Sequence, residues 1–309
     1  MTVPALDAQG LGYRYANGRG VEHLHLQLAR GDILGLLGLN GAGKSTALRL
    51  LAGTLRPATG RVVIDGVSAT EHPLQARRRM GFLPERPPLY RELTVEEHLA
   101  LAGRLQGLAG ARLRTAAAAV LERCGLGECR RRLVGALSQG YRQRLGIAQT
   151  LIHRPALLLL DEPTVGLDPA QIHSLRALVR DLGGECAVVL SSHILPEVAA
   201  VCTRVALLHH GRLVHQQALG GPAADVVLRI RLQQPPAAAE LAAVPGVETV
   251  EPMDSGQYLV TVRAATVIEA LVQRAASQGW GLRELAPRAD ALEEVFLRLT
   301  RGDVQEPAA

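Results

Sequence analysis

An α/β core followed by a smaller α+β domain is the fold class the sequence predicts, and three observations predict it. A short apolar run, Ile33–Leu37, reads as a buried strand and leads through a glycine-rich turn into the helical pattern of residues 47–52. Four consecutive leucines, Leu157–Leu160, suit a central parallel strand covered on both faces. Past Gly220-Gly221-Pro222 the composition changes and a new succession of strand and helix patterns begins.

Composition limits the function classes. With 309 residues and 48% hydrophobic content, the chain has material for two cores, and two domains are expected, residues 1–219 and 222–309. Residues 1–10 carry no basic cluster followed by an apolar segment, so no secretory signal is read there. Apolar stretches such as 156–160 and 187–190 fall far short of the roughly twenty residues a membrane-spanning helix needs, so the chain itself is expected to be soluble. Cys124, Cys129, Cys186 and Cys202 form no CxxC pair and have no histidine at zinc spacing, which predicts reduced thiols. The formal net charge of +5 comes from arginines that are dispersed or in short runs, as at 77–79 and 130–132. Solvated faces explain them, and no nucleic-acid partner is expected, because no fold signature or interleaved aromatics accompany the charge.

Of the 34 lysine and arginine residues, Lys44 is the only lysine. Lysine is a compact charge on a thin stem and arginine a broad planar fork, so a narrow anion pocket would prefer the former. The surroundings agree: Gly38-Leu39-Asn40-Gly41-Ala42-Gly43-Lys44-Ser45-Thr46 lies between the first strand and its helix. This is a P-loop in its required setting. Glycines at 38, 41 and 43 let successive N–H groups turn inward onto phosphate oxygens, and the helix that starts there adds the positive end of its dipole. Lys44 is expected to reach the outer phosphates, and Ser45 to offer its hydroxyl to Mg2+. The leucine strand ends in Asp161-Glu162-Pro163, at the carboxyl edge where ligands of parallel sheets bind. Asp161 is a candidate magnesium ligand and Glu162 a candidate base for the attacking water.

Those two motifs specify nucleotide hydrolysis without saying what it drives. Leu137-Ser138-Gln139-Gly140-Tyr141, shortly before the leucine strand, reads from its residues as a helix start: Ser138 can cap, and Gly140 permits close backbone approach. In that position it resembles the signature sequence of the ABC ATPase family, and the resemblance runs over roughly residues 3–218. It implies a P-loop ATPase core with a helical subdomain at about 86–137, where residues 94–106 and 111–124 carry helical periodicity. It also implies that Tyr15 stacks on adenine, that Asp168 lies on the loop after the acidic strand, and that His193 contacts the terminal phosphate. Glu85 stands where the family usually has glutamine, a magnesium-contacting position, and as a carboxylate it accepts hydrogen bonds without donating them. Gln139 and Tyr141 also depart from the usual signature. These variants resemble ATP-binding subunits of bacterial exporters.

The resemblance implies a head-to-tail pair, homodimer or heterodimer, in which ATP held by Tyr15, Gly38, Asn40, Gly41, Gly43, Lys44, Ser45 and Thr46 of one copy is covered by Ser138 and Gly140 of the other. It further implies a separate transmembrane permease and a peripheral position on the cytoplasmic face of the cell membrane. A soluble ABC ATPase of translation or DNA repair is the alternative. In the last ninety residues, Val226, Leu228, Ile230 and Leu232 alternate with Val227, Arg229 and Arg231 as in a half-buried strand. Helix at 237–243, strands at 247–251 and 258–263, helix at 266–277 and strand at 282–286 follow. That β-α-β-β-α-β order predicts a ferredoxin-like layer, with a closing helix at 289–300.

Overall fold

A computed structural model describes residues 3–219, 226–253, 256–263, 267–287 and 296. The chain divides into two compact units, Met1–Leu219 and Gly220–Ala309. In the first, β1 (Leu6–Arg14) and β2 (Gly20–Leu28) form a hairpin, followed by β3 (Ile33–Leu37), α1 (Lys44–Leu51), β4 (Thr59–Ile64) and β5 (Val67–Ser68). Next come α2 (Pro73–Arg77), β6 (Met80–Leu83), α3 (Val95–Leu105), α4 (Gly110–Arg123), α5 (Gln139–Leu151), β7 (Leu157–Leu160) and α6 (Pro169–Gly183). The unit closes with β8 (Ala187–Ser192), α7 (Leu195–Val201), β9 (Arg204–His209) and β10 (Arg212–Ala218).

Two sheets result. An antiparallel one runs β2-β1-β4-β5, and a six-stranded one runs β10-β9-β3-β8-β7-β6. The second is parallel from β9 to β6, with β10 added antiparallel at its edge. Every residue of β3, β7 and β8 is buried, which is why these strands are apolar almost without interruption. Leu157 and Leu159 join a core shared with Leu36, Leu48 of α1 and Leu11, Leu24 and Ile64 of the antiparallel sheet. Leu158 and Leu160 are equally buried on the opposite face. Leu159→Ala is therefore expected to cost about 2–5 kcal/mol, part lost transfer energy and part cavity. A urea titration reads this as a lower midpoint; an unchanged midpoint would contradict the packing described.

The helical segment after β6 owes its start to local chemistry. Thr94 caps α3 by accepting the Glu97 N–H at 3.3 Å, while the Glu97 carboxylate accepts the Thr94 N–H at 2.8 Å. This reciprocal box fixes where the helix begins. Its apolar stripe, with Val95 and Leu99 fully buried, packs toward α4 and α5.

The second unit has the order expected: β11 (Val226–Leu232), α8 (Ala238–Ala242), β12 (Val247–Pro252), β13 (Gln257–Val262), α9 (Val267–Ser277) and β14 (Leu282–Pro287). Its sheet runs β12-β13-β11-β14 and is antiparallel throughout, the ferredoxin-like arrangement. Leu228, Ile230 and Leu232 face a core with Val260, Leu271 and Trp280, while Arg229 and Arg231 face out. The helix expected at 289–300 lies outside the described residues, apart from Phe296.

Candidate active site

The glycine-rich turn is shaped by what crowds it. A Cβ on Gly38 would collide with the Leu208 carbonyl oxygen and with Ala42. Gly41 and Gly43 hold φ of 83° and 106°, values that side-chain-bearing residues avoid. A Cβ on Gly43 would also lie 2.9 Å from the Gly20 carbonyl oxygen and 3.3 Å from Gly211, so the turn is gripped between the start of β2 and the turn after β9. Gly211 N–H completes the grip by donating to the Ala42 carbonyl at 2.8 Å. From this turn α1 starts at Lys44, leaving first-turn N–H groups directed at the loop. Asn40 is exposed on the turn, and Thr46 is half-buried in the first turn of α1.

Lys44 is only 5% exposed. Its ammonium donates to the carbonyls of Gly38 at 2.8 Å and Leu39 at 3.2 Å and lies 3.3 Å from Glu162 Oε1. Ser45 Oγ donates to Asp161 Oδ1 at 3.1 Å. Beyond the end of β7, Glu162 has φ 46°, an unusual left-handed value for a residue with a side chain. That turn aims its N–H at Ser191 Oγ, 2.8 Å away, and Ser191 in turn donates to Asp161 Oδ1 at 2.8 Å. His193 Nδ1 lies 3.1 Å from Glu162 Oε2. Lys44, Ser45, Asp161, Glu162, Ser191 and His193 thus form one connected cluster at the carboxyl edge of β3, β8 and β7, which are neighbours in the sheet.

Such a cluster joins an anion cradle to a pair of carboxylates. The turn and Lys44 suit a polyphosphate. Ser45 and Asp161 offer adjacent hard oxygen donors that fit a magnesium ion. Glu162, steered by His193, can accept a proton from water.

The remaining predicted residues lie elsewhere. Tyr15 sits in the β1–β2 turn, where its N–H donates to the Arg19 carbonyl at 2.7 Å and its ring meets Tyr13 edge-on at 4.8 Å. Because Gly20 borders Gly43, this turn flanks the glycine-rich loop. Glu85 is exposed beyond β6 and, among the described residues, makes no hydrogen bond or ion pair with Ser45 or Asp161. Ser138 caps α5, accepting the Tyr141 N–H at 3.4 Å, and no hydrogen bond or ion pair among the described residues joins Ser138 or Gly140 to the Lys44 cluster. Gly140 instead packs beneath Gln171, whose own N–H is capped by Asp168 at 2.9 Å. Gln139, the departure from the usual signature, donates to the Val165 carbonyl at 3.2 Å and lies over Gly166, where a Cβ would collide with it. It braces the start of α5 against the loop after β7.

Sequence reasoning singled out His193 and passed over Ser191, two positions before it. The signal was its place at the end of an apolar parallel strand, the same position that drew notice to Asp161.

Comparison with known proteins gives the family. The family described as ABC transporter matches residues 21–165. The daunorubicin resistance ATP-binding protein DrrA3 of Streptomyces coeruleorubidus is 36% identical over 317 residues, covering 98% of both chains. Nod factor export ATP-binding protein I of Ralstonia nicotianae is 33% identical over 320 residues, covering 99% of this chain and 96% of that one. A solved ATP-binding subunit of an ABC transporter superposes with a TM-score of 0.64 at 33% identity, covering 70% of this chain and 90% of that one. With the glycine-rich turn, acidic strand and whole-length relatives in agreement, the chain belongs to the ATP-binding subunits of ABC transporters, the ATPases that drive them.

Proposed function

We propose that this ATPase works as a head-to-tail pair whose ATP-driven closure and hydrolytic reopening power export through a separate transmembrane permease. The joined Lys44, Glu162 and His193 cluster is the observation that carries the reading. In it, Gly38, Asn40, Gly41, Gly43, Lys44 and Thr46 hold the phosphates, and Tyr15 takes the adenine. Ser138 and Gly140 reach the nucleotide of the partner copy, which accounts for their separation from the Lys44 cluster within one chain. Ser45 and Asp161 would hold the magnesium ion, with Glu85 on its approach; when bound, the ion supplies charge neutralisation on the phosphates. Glu162 takes a proton from water as the water oxygen attacks the γ-phosphorus and the bond to the ADP oxygen breaks. His193 orients the Glu162 carboxylate.

Relatives over nearly the whole chain named for drug resistance and Nod factor export favour export over a soluble role in translation or DNA repair. Among the described residues no helix is long and apolar enough to cross a membrane; in this reading the permease supplies the membrane path. The same reading has the chain attach peripherally on the cytoplasmic face through the helical subdomain and the segment around Tyr90, which is exposed. The second unit, residues 222–309 in this reading, serves as an accessory domain. Affinity purification from detergent-solubilised membranes tests this: a polytopic membrane protein should come with the chain in stoichiometric amount. Recovery with ribosomes or DNA in its place would overturn the transport reading.

A further inference from the structure

We propose that Glu197 is a positioning residue for ATP hydrolysis, fixing the loop after β7 and the turn carrying His193 in one relation. Glu197 stands in the first turn of α7 and is 9% exposed. Its Oε2 accepts hydrogen bonds from Thr164 Oγ1 at 2.7 Å and from Ser192 Oγ at 3.3 Å. Thr164 lies two residues past Glu162, and Ser192 immediately precedes His193. One carboxylate oxygen therefore spans the two segments whose tips meet in the 3.1 Å contact between His193 and Glu162. Ser192 Oγ also accepts the Ile194 N–H at 3.0 Å, so the backbone on both sides of His193 is held.

The choice of residue is informative. Two hydroxyls converge on one acceptor atom, and an ionised acceptor makes shorter and stronger hydrogen bonds than a neutral one. Arg176 lines the same cleft, but no ion pair joins it to Glu197 among the described residues, and the hydroxyls of Thr164 and Ser192 are the acid's hydrogen-bond partners. A buried carboxylate without a paired cation is costly compared with an apolar side chain of similar size. Residues that break local stability rules in this way concentrate where function needs a geometry. Val198 and Val201 are the buried apolar residues of α7, and the helix dipole favours an acid in the first turn without requiring that it be buried on these two hydroxyls.

The proposal rests on Glu162 and His193 acting as the hydrolytic pair, and the test separates the two. In the purified full-length chain with ATP and magnesium, Glu197→Ala should lower kcat by up to about 10²-fold, as expected for misplaced reacting groups, with KM for ATP little changed. Glu197→Gln, which keeps an acceptor oxygen, should recover most of that loss. Thr164→Val should lose part of kcat alone and add little to Glu197→Ala, because both remove the same tie. Full kcat in Glu197→Ala, equal loss in the Ala and Gln variants, or fully additive losses would overturn the proposal. If a melting curve shows Glu197→Ala unfolded, Thr164→Val decides: folded protein with full kcat overturns it. Should Glu162→Gln leave turnover unchanged, the hydrolytic pair itself fails; should only Glu162→Gln slow turnover, the role of Glu197 alone is lost.

Discussion

Glu162→Gln is expected to lower ATP turnover by about 10²- to 10⁴-fold, the range a positioned general base contributes, while ATP binding persists. The substitution keeps the shape and one acceptor oxygen but removes the ability to take a proton at pH 7. Binding should survive because the Glu162 N–H remains on Ser191 and the loop around Lys44 is gripped independently by Gly20 and Gly211. Removing the carboxylate also relieves Lys44 of an anion 3.3 Å away, so ATP affinity is expected to hold or rise. Steady-state phosphate release and equilibrium ATP titration on the same preparation check both halves. Unchanged turnover would remove Glu162 from the chemistry.

Lys44→Arg is expected to weaken ATP binding by roughly 10- to 100-fold although the charge is conserved, the loss of one hydrogen bond to a charged group being about 1.5–3 kcal/mol. The ammonium sits 2.8 Å from the Gly38 carbonyl, in a turn where even a methyl group on Gly38 has no room. A planar guanidinium is wider and presents its donors in a fixed fork, so it cannot occupy that space without displacing the loop. Isothermal titration with ATP and magnesium reads the change. Equal affinity would mean that the sole lysine of the chain is an accident of composition.

Much of this site was legible because its residues sit where the chain changes period. Ile33–Leu37 and Leu157–Leu160 are apolar runs of strand length that end abruptly in glycines or acids, and the fold places both ends on one edge. Ser138 announced a helix start because capping is local chemistry, and residues 94–106 announced a helix by their periodicity. Ser191 and Glu197 were not legible. Their roles depend on partners 29 and 33 residues away, at Glu162 and Thr164, and no local pattern encodes a contact across neighbouring strands. The brace from Gln139 to Val165 was hidden for the same reason: the sequence marks Gln139 only as an unusual residue, and its partner lies 26 positions on. In the second unit, alternation in β11 predicted its buried face because antiparallel strands with one covered side keep a period of two.

Closure of two copies over ATP is most directly tested by a nucleotide-dependent crosslink. One chain carries Asn40→Cys, the other Ser138→Cys, both on the Glu162→Gln background so that ATP is not consumed. The native thiols should stay silent: all four are buried, and burial pushes Cys124 and Cys202 up to about 12 and Cys186 to about 11. Head-to-tail closure predicts a disulfide-linked dimer on oxidation with ATP and magnesium, and none without nucleotide. ATP bound at full occupancy with no intermolecular product would contradict it.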